Sequence, residues 1–137
     1  MLVTTLEGYA LKALIYLAEK KSRRATVKEI SEKNNISFSY ILRICSTLRS
    51  KGILDSARGR NGGYTLRREL SDISLYEVIK AVRKNTVEIR CDYGKRKVTP
   101  CIPTDCISIQ AWEKVKRQVD KLFKDIKLSD LILKKGE

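Results

Sequence analysis

Histidine is absent from this chain of 137 residues. That removes the usual general base, the usual nitrogen ligand for zinc and the Ser-His and Cys-His pairs that activate nucleophiles. No Gly-rich phosphate loop opens a helix, no two carboxylates stand at a catalytic spacing and no C-x-x-C occurs, so the chain is not expected to be an enzyme. No run of about 18 apolar residues exists to span a membrane. The start, Met1-Leu2-Val3-Thr4, lacks the basic and apolar regions of a signal peptide, so a cytoplasmic protein without a membrane partner is expected. Proline occurs only twice, as Pro100 and Pro103, and both fall in one stretch.

What is abundant is positive charge. Lys and Arg number 29 against 16 Asp and Glu, a formal net charge of +13. Such an excess repels itself in a compact fold, and a polyanion relieves it: nucleic acid first, an anionic membrane surface second. A purely solubilising role is the plainer alternative. A hydrophobic fraction of 42% and a charged fraction of 33% describe a globular chain, and the length fits one domain with an appended helix.

Thr4-x-x-Glu7 is a capping box, and Leu6, Ala10, Ala13, Leu14, Leu17 and Ala18 follow at helical spacing, predicting a helix over 5–20. Thr26-x-x-Glu29 opens a second, short helix that stops at Asn34-Asn35. Ser37 caps a third, running to Lys51 with Ile41, Ile44, Cys45 and Leu48 inward. Ile53–Arg58 and Tyr64–Leu66 read as strands joined through Gly59-Arg60-Asn61-Gly62-Gly63, where Asn-Gly is a strong hairpin signal. Ser74-x-x-Glu77 caps a fourth helix carrying Leu75, Val78, Ile79 and Val82. Residues 85–105 show no period and read as a loop, of a length that is usually functional. Asp105 is expected to cap a long last helix, on which Trp112, Val115, Val119, Leu122 and Ile126 repeat in heptad fashion.

The fold class is therefore mainly α with a small β-hairpin wing: a winged helix-turn-helix over 1–84, a cysteine-containing sensor loop over 85–105, and a dimerisation helix with a terminal segment over 106–137. The third helix is the recognition element. Ser37, Ser39, Tyr40 and Arg43 at its start are candidates for base and phosphate contacts, with Arg49 a further phosphate contact. Arg58 and Arg60 on the wing are candidates for a narrow minor groove, while Asn61, Gly62 and Gly63 let the backbone approach the sugar-phosphate chain. Lys51, Arg67 and Arg68 are further phosphate-neutralising candidates. Cys45, on the apolar side of the third helix, is read as a small core hydrophobe. A long helix behind a small domain finds little surface of its own chain, so its heptad stripe is expected to meet a second copy.

Several segments together resemble a known family: Thr5–Leu14, Ile36-Ser37-Phe38-Ser39-Tyr40, Gly52-Ile53-Leu54, Arg58-Gly59-Arg60-Asn61-Gly62-Gly63-Tyr64-Thr65-Leu66 and Ile73–Ile79. They look like the winged-helix regulators typified by the iron–sulfur regulator IscR and the nitric-oxide sensor NsrR. The likeness covers nearly the whole chain, and Arg-Gly-x-x-Gly-Gly-Tyr in the wing is its most specific part. It implies a homodimer on double-stranded DNA, at a partly palindromic operator. It carries recognition-helix contacts onto Ser37, Ser39, Tyr40 and Arg43, and wing contacts onto Arg58 and Arg60.

Cys91, Cys101 and Cys106 are spaced C-x9-C-x4-C. That is no zinc knuckle, and spacing alone leaves metal binding and simple loop thiols both open. The resemblance implies an iron–sulfur cluster on these three residues, 2Fe–2S ahead of 4Fe–4S. The histidine that completes the IscR-like set would fall near Ile109, and the aspartate of the NsrR-like set at Gly8, next to Glu7; neither is present. The fourth ligand stays open among Asp92, Asp105, solvent and an exogenous thiol. A cluster-free regulator whose thiols sense oxidants or metabolites is one alternative; a winged-helix protein-interaction adaptor is another.

Overall fold

The computed structural model describes residues 5–59, 62–88 and 106–132. Expectations resting on Thr4, Arg60, Asn61, Cys91, Cys101 and Asp105 lie outside the described residues. In chain order the elements are α1 Thr5–Glu19, β1 Arg24–Ala25, α2 Val27–Asn34, α3 Phe38–Ser50, β2 Leu54–Ala57, β3 Gly63–Leu66, a 3₁₀ turn Leu70–Asp72, α4 Leu75–Val82, α5 Ile107–Asp125 and α6 Leu128–Leu131. This is the mainly helical winged helix-turn-helix that the hydrophobic periods predict.

The inward faces follow those periods. Leu14 and Leu17 of α1, Ile30 of α2, Ile41, Ile44, Cys45 and Leu48 of α3, Ile53, Leu54, Ile73 and Val78 form one buried cluster. Each Leu, Ile or Val among them contributes about 1.5–3 kcal/mol by leaving water. The helix ends show where short-range chemistry acted. Asn35 adopts φ 53° and ends α2, as a residue tolerant of left-handed backbone can. Ser74 and Glu77 form the full capping box, the Glu77 amide donating to Ser74 Oγ at 3.2 Å and the Ser74 amide to Glu77 Oε2 at 2.9 Å.

Three local expectations are corrected. Ser37 stands at the N-cap of α3 without a side-chain capping bond, which leaves its hydroxyl for other partners. The second capping box is half formed: Thr26 accepts from the Glu29 amide at 3.1 Å, while the Glu29 carboxylate turns to Lys20 instead. The N-cap of α5 is Cys106, so the helix opens at Ile107 rather than on Asp105.

The sheet holds a strand that the sequence does not announce. Its order is β1-β3-β2, all antiparallel. β1 pairs Arg24 with Thr65 and Ala25 with Tyr64, sewing the α1–α2 connection to the wing. Gly63 makes this possible: at φ 144° it lies so near β1 that a Cβ would stand 2.2 Å from the Ala25 carbonyl oxygen. The wing turn closes through the Gly62 amide donating to the Gly59 carbonyl at 2.9 Å.

At the far end α5 is anchored to α4. The Leu75 amide donates to Ile126 O and the Leu128 amide to Ile73 O, each at 2.9 Å, and Phe123 and Leu128 are buried. Among the described residues no helix is long and apolar enough to cross a membrane.

Candidate nucleic-acid interface and cysteine segment

The surface of α3 is set by its buried side. With Ile41, Ile44, Cys45 and Leu48 inward, helical spacing leaves Ser39, Leu42, Arg43, Ser46 and Arg49 outside, and all five are exposed. Ser37 is exposed at the head of the helix. Tyr40 is half-buried, its ring edge-on to Tyr9 with centroids 5.3 Å apart. Two apolar side chains are also presented, Phe38 at 53% and Leu42 at 43% exposure. Sequence reasoning missed them, although the gap they leave in the inward pattern was the available signal. On a groove-inserted helix such groups suit the thymine methyl.

Arg58 is exposed beside Gly59 at the head of the wing turn, and Gly62 and Gly63 close it. The remaining phosphate candidates divide. Arg49, Lys51 and Arg67 are exposed. Arg68 is engaged within the fold, donating to Glu77 Oε1 at 2.8 Å and to the Asp72 carbonyl at 3.3 Å. Burial works to raise the Glu77 carboxyl, but the Ser74 amide and the Arg68 guanidinium together hold it below its ordinary value.

Of the cysteines, Cys45 is fully buried and burial pushes its thiol up to about 12, so it is a core group and an unsuitable thiolate donor. Cys106 is half-buried at the N-terminal end of α5. Cys91 and Cys101 lie outside the described residues. Among the described residues no three metal-binding side chains gather. Glu7 is committed elsewhere: it sits on the inward side of α1, 5% exposed, with Arg83 Nε 3.0 Å from its Oε1. Around Gly8 an added Cβ would meet nothing within 4 Å.

The stripe on α5 is split. Trp112, Val115 and Leu122 are 52%, 42% and 56% exposed; Val119 and Ile126 are half-buried. The side chain that docks the helix on its own domain is Phe123, which the heptad reading passed over.

A trihelical core, a recognition helix with a free polar and basic face, and a glycine-rich basic wing define a winged helix-turn-helix regulator of transcription rather than an enzyme. The chain belongs to the Rrf2 family, described as iron-dependent transcriptional regulators, which it matches over residues 3–134. It is 31% identical to the HTH-type transcriptional regulator IscR of Vibrio atlanticus (strain LGP32), over 96% of this chain and 75% of that one. Its fold is similar to that of T. potens IscR, with TM-score 0.71 and 26% identity over 96% of this chain and 85% of that one. It is equally similar to CymR, the global cysteine regulator of B. subtilis, with TM-score 0.69 and 26% identity over 96% and 95% of the two chains.

Proposed function

We propose that this regulator acts in the cytoplasm as a homodimer on a partly palindromic DNA operator, and that Cys91, Cys101 and Cys106 hold an iron–sulfur cluster whose state sets its affinity. The observation that carries the DNA reading is the free face of α3, with Ser39, Arg43 and Arg49 exposed on one side of a helix whose other side is core. Ser37, Ser39, Tyr40 and Arg43 face the major groove and Arg49 the backbone. Arg58 and Arg60 read the minor groove, and Asn61, Gly62 and Gly63 bring the wing backbone to the phosphates. A second copy on the exposed α5 stripe sets two recognition helices about one DNA turn (~34 Å) apart.

The cluster reading is supported by the donor chemistry of three thiols in one connection and by the iron-dependent description of the family. A bound cluster would supply a redox- and iron-sensitive group at that connection, with 2Fe–2S ahead of 4Fe–4S. The likeness to a cysteine regulator favours one second reading: the same thiols answer to thiol metabolites or oxidants without a cluster.

The test is protein purified without oxygen. Visible absorbance with iron and sulfide in equal amounts supports the cluster. Colourless protein that resists reconstitution yet changes DNA affinity on thiol oxidation supports the second reading. Duplex affinity that ignores Arg43→Gln and Arg58→Gln, each expected to cost about 1–3 kcal/mol, would sink the DNA interface.

A further inference from the structure

The outer side of α3 carries an apolar patch where a helix surface is ordinarily polar. Phe38 is the first residue of the helix, Leu42 stands one turn later, and both are exposed. An exposed apolar side chain on its own is ordinary. These two are four apart, which makes them neighbours on the helix surface, with Cβ atoms about 5–6 Å from each other. Helical side chains lean back over the preceding turn, so Leu42 covers the head of the helix beside Phe38. The patch cannot turn inward, because Ile41, Ile44, Cys45 and Leu48 already commit the other side of α3 to the core.

Its surroundings indicate what covers it. Leu42 lies between Ser39 and Ser46 on the outward stripe, with Arg43 next to it and Arg49 two turns on, all exposed. The first turn of α3 holds no acidic residue, and the chain carries a net charge of +13. At the far end of the helix the hydroxyls of Thr47 and Ser50 donate to the carbonyls of Arg43 and Thr47, whereas the Ser37 side chain at the head makes no capping bond. The occupant that fits is anionic, offers polar edges to the head of the helix and presents an apolar group among them. The major groove of DNA meets all three requirements, and its apolar group is the C5 methyl of thymine.

We infer that Leu42, with Phe38 beside it, is a specificity-determining residue that reads thymine through its C5 methyl, so that each operator half-site carries thymine at a fixed place opposite the head of α3. The inference rests on the reading of α3 as the helix that enters the major groove. Such a helix brings its N-terminal residues to the base edges, and the patch lies at that end. Side chains 5–6 Å apart reach groups no more than about two base-pair steps (~3.4 Å each) apart, which limits the readout to one or two thymines per half-site. Covering one methyl group is worth about 4-fold in affinity. Cytosine at that place is disfavoured twice, since it lacks the methyl and turns an amino donor toward an apolar surface. The contact is to the methyl and not to the base that bears it, so 5-methylcytosine there binds better than cytosine.

The experiment uses the full chain purified without oxygen and a duplex that the wild-type protein selects from a random pool. Each thymine of the selected half-sites is replaced in turn by uracil, which removes the methyl and keeps the O4 acceptor. Fluorescence anisotropy compares wild type, L42A and L42M on these duplexes, with circular-dichroism melts to confirm folding. Leu42 lies outside the core and alanine is the best helix former, so L42A is expected to fold. For wild type, uracil at the Leu42 position costs about 4-fold in one half-site and about 15-fold in both. L42A loses the distinction between thymine and uracil there, and L42M keeps it. At the same position 5-methylcytosine binds wild type about 4-fold better than cytosine, and L42A equally with it. A wild type that selects a duplex but binds it equally with thymine or uracil at every position overturns the methyl contact and leaves the DNA reading standing. A uracil penalty that L42A keeps in full does the same. Equal binding of thymine and uracil, together with an L42A protein that sediments as a smaller species than wild type, would give the patch to a second copy of the chain and equally overturn it. A wild type that enriches no duplex removes the DNA reading on which the proposal rests.

Discussion

Removing Arg83 is expected to destabilise the protein more than removing the Glu7 that it faces. The pair joins the inward side of α1 to the residue that ends α4, where the cysteine connection begins. Its two ends are unequally placed: the Glu7 side chain is 6% exposed and that of Arg83 21%. Arg83→Gln takes the guanidinium from a carboxylate that water hardly reaches. Breaking a buried pair from one side costs about 3–5 kcal/mol, and the partial exposure of Arg83 places this case near 3. Glu7→Gln leaves a guanidinium that water can solvate and keeps a polar group of the same shape, so about 1–2 kcal/mol is expected. For a chain of this size 1 kcal/mol moves the melting temperature by roughly 3–4 °C, which predicts a fall of about 10 °C for Arg83→Gln and about half that for Glu7→Gln. In the double variant Glu7→Gln/Arg83→Gln no charge is buried, and its stability should lie closer to that of Glu7→Gln. Urea unfolding of all four proteins, followed by circular dichroism, measures the cycle. Losses below about 1 kcal/mol for both singles, or a larger loss for Glu7→Gln, would refute this account of the pair.

Gly63→Ala should be among the most damaging small substitutions in the chain, because the new Cβ meets the Ala25 carbonyl carbon and oxygen at 2.7 and 2.2 Å; proteolysis within the wing and β1 would report the loosening, and unchanged resistance would count against the β1–β3 contact. Gly8→Ala should have the opposite sign, raising stability by about 0.5–1 kcal/mol in urea, since the site is helical and open. Glu77 gives a pH dependence. Its carboxyl is held below the ordinary 4.5, so its contribution is fully present above pH 4.5 and is lost as pH falls through the folded value. The gap in melting temperature between wild type and Glu77→Gln should narrow on acidification, and a gap that widens would contradict the sign. Trp112→Asp should yield monomers in sedimentation if α5 is the dimer interface, and an undisturbed dimer would move that interface elsewhere.

Periodicity made the helices and their inward faces legible, because a residue buried at i forces its partners at i+3 and i+4. The winged architecture followed from element order. β1 was not legible: two residues, one charged, carry no alternation, and the strand exists only because Gly63 lets the wing approach. Phe123 was hidden for a related reason. The heptad stripe selects one face of α5, whereas docking on α4 uses the neighbouring face and is fixed by backbone bonds at Leu75 and Leu128. Arg68 and Glu7 show the limit for charges. Sequence marks them as a candidate phosphate contact and as half of a capping box, and only tertiary placement reveals that Arg68 holds Glu77 and that Glu7 holds Arg83.

The anchoring of α5 bears on how an event at the cysteines can reach DNA. The helix has 19 residues and is therefore about 28 Å long. Its C-terminal end is fixed to α4 through the bonds at Leu75 and Leu128 and the buried Phe123, with Lys124 over the Tyr76 ring at 4.7 Å. Closer to its middle, Thr86 Oγ1 donates to Asp120, tying the root of the cysteine connection to the helix. Its first half carries the exposed Ile107, Trp112 and Val115. Cys106 stands at the tip, one long lever arm from the anchor. Anything that binds or oxidises Cys106 acts where a small rotation about the anchored end becomes a displacement of several ångströms. Trp112 and Val115, on that same half, would then change the angle between two subunits more than the fold of either. On the proposed cluster-bearing dimer, signal and dimer geometry would share one helix, while α3 keeps its own buried core.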